Sequence, residues 1–214
     1  MSQSLRPIYN LIILDESGSM QSVKTVTLNG FNETVQTIRA AQRQFPEQQH
    51  FVTLVTFNGT GIKTLLDKQP VEELSELTAE SYLPNASTPL YDAIGKSLMR
   101  LEFQTEQEKE YSVLVSILTD GEENSSREFK GTNIKAMIQR LKEKDWAFTY
   151  MGANHAVEQV AKSMDIDSFT QFESNEEDMK GLFKKESLGR MSFYNKIYQG
   201  QSSKDAMKDF WDKE

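Results

Sequence analysis

Residues 8–19 read Ile-Tyr-Asn-Leu-Ile-Ile-Leu-Asp-Glu-Ser-Gly-Ser. The apolar run from Ile8 to Leu14 reads as a buried strand. A carboxylate, Asp15, and two hydroxyls, Ser17 and Ser19, follow at a spacing of two, where the strand gives way to a loop. Side chains two residues apart converge on one point when the backbone curls, and three hard oxygens on a tight loop suit a small hard cation such as Mg²⁺. Ser, Asp and Gly also make ordinary turns, so the stretch takes its meaning from the rest of the chain.

Apolar runs rich in Val, Ile, Leu and Phe recur along the chain between helical patterns. After Ile8–Leu14, the segment Val23 to Gln44 carries Val26, Phe31, Val35 and Ile38 as a helical stripe. Phe51–Phe57 is a second strand, Asn58-Gly59 marks a turn, and Ile62–Leu66 pairs back as a hairpin. Val71 to Leu77 is short and helical or irregular. Leu90 to Phe103 reads as a helix opened by a proline. Tyr111–Leu118 lacks alternation, as a strand buried on both faces does. Ile134–Lys144, Trp146–Met151, Ala156–Met164 and Phe169–Phe172 continue as helix, strand, helix, strand. Strands alternating with helices predict an α/β, doubly wound, mostly parallel sheet, with the early hairpin as one antiparallel edge.

The bulk composition sets limits. With 214 residues, 37% hydrophobic and 26% charged, the chain holds one sizeable α/β domain and a little more. A net charge of -8 argues against non-specific binding to nucleic acid or to an anionic membrane surface. No cysteine is present, so disulfides, thiolate metal sites and thiol nucleophiles are excluded. Met1 to Asn10 lacks the charged-then-apolar pattern of a signal peptide, and no run approaches the ~20 apolar residues of a membrane span. The expected location is the cytoplasm.

Two later features turn Asp15-Glu16-Ser17-Gly18-Ser19 into a constellation. Thr88 lies in Ser87-Thr88-Pro89-Leu90-Tyr91-Asp92-Ala93, and Asp120 ends the apolar run that starts at Tyr111. Asp15, Ser17, Ser19, Thr88 and Asp120, in that order, resemble the metal-ion-dependent adhesion site of the von Willebrand factor A domain family. That pattern is Asp-x-Ser-x-Ser, then a Thr, then an Asp, on separate loops at one end of the sheet. All five positions are filled without substitution. The resemblance, which is to a bacterial intracellular member, spans residues 5–172; residues 173–214 are expected to form a helical extension on the same domain. It implies that Mg²⁺ or Mn²⁺ is held by the hydroxyls of Ser17, Ser19 and Thr88, with Asp15 and Asp120 binding directly or through water. An open coordination position would then accept a carboxylate from a protein partner, without catalysis. The competing reading is a metal-dependent hydrolase of phosphatase or esterase type using the same ion.

Each residue also has an ordinary reading. Asp15 and Asp120 both follow parallel strands, where ligands bind in open sheets, yet either alone suits a turn or helix cap. Ser17 and Ser19 suit hydroxyl caps, and Thr88 suits a cap for Leu90 or Tyr91. Asp92 is expected to face the helix dipole, with a supporting role near the metal as the lesser option. Glu16, Glu122 and Glu123 read as solvated loop charges. Asp15-Glu16-Ser17 is similar to the first motif of haloacid-dehalogenase-type phosphatases, but Ser17 stands where that motif needs a second Asp. No phosphate-cradling Gly-Lys loop occurs, and of the two histidines, His50 and His155, His155 reads first as a surface histidine near a helix start, with a Ser–His pair as the lesser option. Met207, Phe210 and Trp211 fit one face of a terminal helix that docks on its own domain, or else meets a partner.

Overall fold

A computed structural model of the chain describes residues 5–153 and 156–212. The order is β1 (Arg6–Asp15), a 3₁₀ turn (Gly18–Val23), α1 (Lys24–Gln44), β2 (Gln48–Asn58), β3 (Gly61–Pro70), a second 3₁₀ turn (Val71–Glu73) and α2 (Leu90–Thr105). It continues with β4 (Ser112–Thr119), α3 (Gly131–Glu143), β5 (Trp146–Ala153), α4 (Val157–Ser163), β6 (Ser168–Phe172), α5 (Glu176–Tyr198) and α6 (Ser203–Ala206). His155 lies outside the described residues.

The six strands form one sheet in the order β3-β2-β1-β4-β5-β6. Every pairing is parallel except β2 with β3. The expected doubly wound sheet with one antiparallel edge is therefore the observed one. From β1 the chain runs outward to β2 and β3, then returns through α2 to place β4 on the other side of β1. The reversal puts a switch point between β1 and β4, where sheets of this kind bind ligands at the carboxyl ends of the strands.

Strand alternation divides the core in two. From β1, Ile8, Ile12 and Leu14 pack with α1 and α5, while Tyr9, Leu11 and Ile13 pack with α2, α3 and α4. β4 is buried along its whole length, which explains its unbroken apolar run. β3 extends from Gly61 to Pro70, well beyond Ile62–Leu66, because it bulges against β2 between Val52 and Val55 and keeps pairing past the irregularity.

One buried charge interrupts the α1/α5 face. Arg190 on α5 is fully buried and ion-paired with Glu186 one turn earlier. Its guanidinium also donates to Asn10 Oδ1 (3.1 Å), Tyr194 Oη (3.0 Å) and Ser116 Oγ (2.7 Å). Tyr194 Oη donates to Asn10 Oδ1 at 2.5 Å. Gln48 Nε2 donates to the Tyr194 carbonyl at 2.8 Å, and Gln48 Oε1 meets His50 Nε2 at 3.2 Å. Asn10 and Ser116 are polar residues in the middle of β1 and β4 on the face that α5 covers, and the arginine satisfies both. Burial opposes the charge on Arg190, but Glu186 and Tyr194 outweigh it and hold the guanidinium pKa above its ordinary value.

The end of the chain departs from the sequence reading. α6 closes after one turn, so Phe210 and Trp211 sit in a turn rather than on a helical face. Asp209, with φ 59°, is in the left-handed region that stops a helix. Phe210 is nonetheless buried in the α1/α5 core. It packs so closely on α5 that a Cβ at Gly189 would lie 2.2 Å from the Phe210 carbonyl oxygen. Among the described residues no helix is long and apolar enough to cross a membrane.

Candidate metal centre

The parallel register of β1 and β4 pairs Leu14 with Leu118, so Asp15 and Thr119 come side by side at the strand ends. Thr119 Oγ1 donates to Asp15 Oδ2 at 2.5 Å. The next residues on each strand then turn into loops and meet. The Ser17 amide donates to Asp15 Oδ1 at 2.7 Å, Ser17 Oγ lies 3.1 Å from Ser19 Oγ, and Ser19 Oγ donates to Asp120 Oδ1 at 2.5 Å. Thr88 arrives from the loop before α2. A Cβ at Gly121 would come within 3.1 Å of Thr88 Oγ1 and 3.8 Å of Ser19 Oγ, so these two hydroxyls flank the same small space. All five residues singled out by the sequence therefore converge at the β1/β4 switch point.

The capping alternatives for Ser17 and Thr88 lose their role here, while Asp15 does make the turn contact of its ordinary reading, to the Ser17 amide. Ser17 precedes the 3₁₀ turn, but its side chain makes no cap bond. At α2 the free amides are taken by other residues: Glu123 Oε2 accepts from the Tyr91 amide at 2.9 Å, and Ser126 Oγ accepts from the Asp92 amide at 3.0 Å. Thr88 is instead fixed through its backbone to Asn124, whose Oδ1 accepts from the Thr88 amide at 2.9 Å and whose amide donates to the Thr88 carbonyl at 3.2 Å.

Several carboxylates expected in solvent are structural ties. Glu16 is fully buried, not a solvated loop charge. Its Oε1 accepts from the Leu83 amide at 2.6 Å and its Oε2 pairs with Lys63 at 3.4 Å. Glu123 Oε1 accepts from the Ser125 and Ser126 amides at 2.8 and 2.7 Å, while its Oε2 serves Tyr91. Asp92 does more than face a dipole: its carboxylate accepts from the amides of Arg127, Glu128 and Phe129 at 2.8–2.9 Å. Burial acts against its charge, and the three donors more than offset this, so its pKa is lowered. Glu122 alone of the three glutamates stays exposed. Nothing in the sequence marked Thr119 except its place before Asp120. Tyr82, which donates to the Asp15 carbonyl at 2.5 Å, carried no signal at all.

The electrostatics follow from burial. Asp15, Ser17, Thr88 and Asp120 are each 3% exposed or less. Burial pushes the Asp15 carboxyl up to about 6; hydrogen bonds from Thr119 and Ser17 oppose this, and the charge of Asp120 adds to it. Burial, with the charges of Asp15, Asp120 and Glu16, likewise raises the Tyr82 phenol, which stays protonated and donates. Among the described residues no three His, Cys, Asp or Glu side chains are grouped to hold a metal ion. The donor set is of another kind: two carboxylates and three hydroxyls. Hard oxygens of this number and charge fit a small octahedral ion that keeps some of its own water.

The sequence profile of the von Willebrand factor type A domain matches residues 11–185. The chain belongs to that family. Domains of this family commonly mediate protein–protein interaction. The domain's fold is found again in the crystal structure of the SpRpn10 VWA domain, with a TM-score of 0.55, 12% identity, and coverage of 87% of this chain and 95% of that one. It is found in proximal thread matrix protein 1 from the mussel byssus, at a TM-score of 0.60, 15% identity, and coverage of 86% and 46%. It also recurs in the pilus adhesin SpaC from Lactobacillus rhamnosus GG, at a TM-score of 0.62, 12% identity, and coverage of 90% and 31%. The chain thus spans less than half the length of the mussel protein and about a third of the adhesin. No curated protein matches it in sequence.

Proposed function

We propose that this domain is a metal-dependent protein-binding module that acts without catalysis, inside the cell. Asp15, Ser17, Ser19, Thr88 and Asp120 would hold Mg²⁺ or Mn²⁺, which when bound supplies a Lewis-acidic position for a carboxylate of the partner. The observation that carries this reading is the convergence of three loops on one point. Ser17 and Ser19 share a contact, Ser19 bonds Asp120, and Gly121 leaves the space between Ser19 and Thr88 open. The chain's own contribution is to set the donors in place. Thr119 and the Ser17 amide orient the Asp15 carboxylate, Asn124 fixes Thr88, and Glu16, Glu123 and Asp92 tie the surrounding loops to backbone amides. We read residues 5–172 as the binding domain and 173–214 as its helical extension.

Titration calorimetry with Mg²⁺, Mn²⁺, Ca²⁺ and Zn²⁺ tests the centre. One site for Mg²⁺ or Mn²⁺ supports it, and preference for Ca²⁺ or Zn²⁺ counts against it. A pull-down with and without chelator tests the partner: loss of the partner in chelator is the expected result. Metal-dependent turnover in a phosphatase and esterase screen would replace the binding reading with the hydrolase.

A further inference from the structure

The turn between β2 and β3 supplies no donor to the candidate metal centre, yet it is packed against the loop that brings Thr88. A Cβ at Gly59 would lie 2.3 Å from Ser87 Oγ, 2.9 Å from the Ser87 amide nitrogen and 3.1 Å from Ala86 Cβ. A hydroxyl can rotate away from such a contact, but a backbone nitrogen can yield only if the loop moves. Gly59 is not among the residues with a left-handed backbone. The turn therefore uses its lack of a side chain, which lets two backbones approach closely.

The same loop is tied to the segment after β1. The Asn85 amide donates to the Glu16 carbonyl at 2.9 Å, and the Gly18 amide donates to the Ala86 carbonyl at 3.0 Å. Between these ties Ala86 has φ 62°, a left-handed backbone that is costly for any residue with a Cβ. Such a conformation persists only where its surroundings impose it, and it recurs at binding sites. Here the constraints are the two ties, Asn85 Oδ1, which accepts from the Ala86 amide at 2.8 Å, and the contact with the turn. Ala86 itself is exposed, so its side chain does not serve the core. Two residues on, Thr88 is buried, with its hydroxyl beside the space it shares with Ser19.

We propose that Gly59 and Ala86 are positioning residues for Thr88. The bare backbone at Gly59 and the left-handed backbone at Ala86 together set where the Thr88 hydroxyl stands relative to Ser19 and Asp120. The inference rests on the metal centre proposed above and adds the β2–β3 turn to the three loops that carry its donors.

Calorimetric titration of the full chain with Mg²⁺ tests it. Gly59→Ala and Ala86→Val are each expected to weaken Mg²⁺ binding ~10-fold, the low end of what residues supporting a metal ligand cost. Ala86→Gly adopts the left-handed backbone freely and is expected to bind as the parent does. Thr88→Ala is the reference. Because both positions act through Thr88, adding Gly59→Ala or Ala86→Val to Thr88→Ala should weaken binding no further. Thermal melts in chelator check that each variant folds, and the two Ala86 variants carry the test if Gly59→Ala does not. A parent that binds no Mg²⁺ would remove the metal centre and this inference together. A parent that binds Mg²⁺ no better than Gly59→Ala and Ala86→Val would overturn this inference and leave the centre standing. So would losses that add to that of Thr88→Ala, or a loss in Ala86→Gly as large as that in Ala86→Val.

Discussion

Two polar clusters are buried in this domain, and they are built on opposite rules. Around Arg190, each charge meets its counterpart: Glu186 balances the guanidinium, while Asn10, Ser116 and Tyr194 fill its remaining directions. Around Asp15 and Asp120, two carboxylates share a buried place with hydroxyls, and burial pushes Asp15 up toward neutral pH. The first cluster is finished when the chain folds. The second holds negative charge in a low-dielectric setting, which the proposed cation would offset. On that proposal, a polar group that serves stability is matched by the chain itself, and one that serves binding waits on a ligand.

Removal of Arg190 should produce the largest effect. Arg190→Met leaves Glu186 as a buried unpaired charge and is expected to cost about 3–5 kcal/mol. Thermal melts should show a drop on the order of 10 °C. The double variant Glu186→Leu/Arg190→Met should recover most of it, because a well-packed apolar pair replaces a balanced ionic one at little cost. A double variant as unstable as the single one would show that the network does more than balance its own charge.

Asp15→Asn should behave in the opposite way. With the charge removed, the metal-free variant is expected to be at least as stable as the parent. The parent should gain about 2.7 kcal/mol from Mg²⁺ at 100 times its dissociation constant, and the variant should not. Melts of both proteins in Mg²⁺ and in chelator give the four curves needed. Equal responses to Mg²⁺ would erase the distinction between the two clusters.

His50 sharpens the contrast through pH. Burial, then the charge of Arg190, lowers its pKa to about 3 from the ordinary 6.5. Between these values the unfolded chain binds a proton that the folded chain does not. Its contribution is therefore complete above pH 6.5 and is lost as pH falls toward 3, reaching about 2 kcal/mol of loss at pH 5. His50→Gln should flatten the stability profile over that window, as read from denaturant midpoints at successive pH values. An unchanged slope would show that His50 does not sense the buried cluster.

Gly121→Ala should have the smallest effect and the most local one. Its Cβ would crowd Thr88 Oγ1 at 3.1 Å while touching nothing in the core. Mg²⁺ affinity is expected to fall several-fold, about 1 kcal/mol, with the metal-free melting temperature nearly unchanged. A loss of stability without a loss of affinity would move Gly121 from the binding cluster to the fold.

The fold was legible because its signals were periodic. Ile8–Leu14 and Tyr111–Leu118 are apolar without alternation, and only a sheet covered on both faces accommodates that. Asp15 and Asp120 were legible because each sits at a strand end, where a carboxylate after an apolar run is conspicuous; Ser17, Ser19 and Thr88 were picked out only by the family pattern. What supports them was not. Glu16 differs from Glu122 in nothing that sequence displays, yet one is buried against the Leu83 amide and the other is in solvent. Thr119 becomes meaningful only through the register that sets it beside Asp15. The Arg190 cluster unites Asn10, Gln48, Ser116 and Arg190, residues separated by most of the chain, and no local pattern links them. Met207, Phe210 and Trp211 misled for the reverse reason: their spacing is helical, but α6 ends at Ala206 and the left-handed backbone at Asp209 keeps the chain from resuming it.

The ties made by Glu16, Glu123 and Asp92 bear on whether this centre can be moved. Glu16 and Glu123 fasten the loops after β1 and β4 to the amides of Leu83 and Tyr91, and Asp92, in the first turn of α2, fastens that helix to the amides of residues 127–129. Residues 15–19 transplanted alone onto another parallel sheet would carry three of the five donors but none of the restraints that hold their neighbours in place. A working graft has to bring residues 82–92 and 119–129 with it, as one interlocked set.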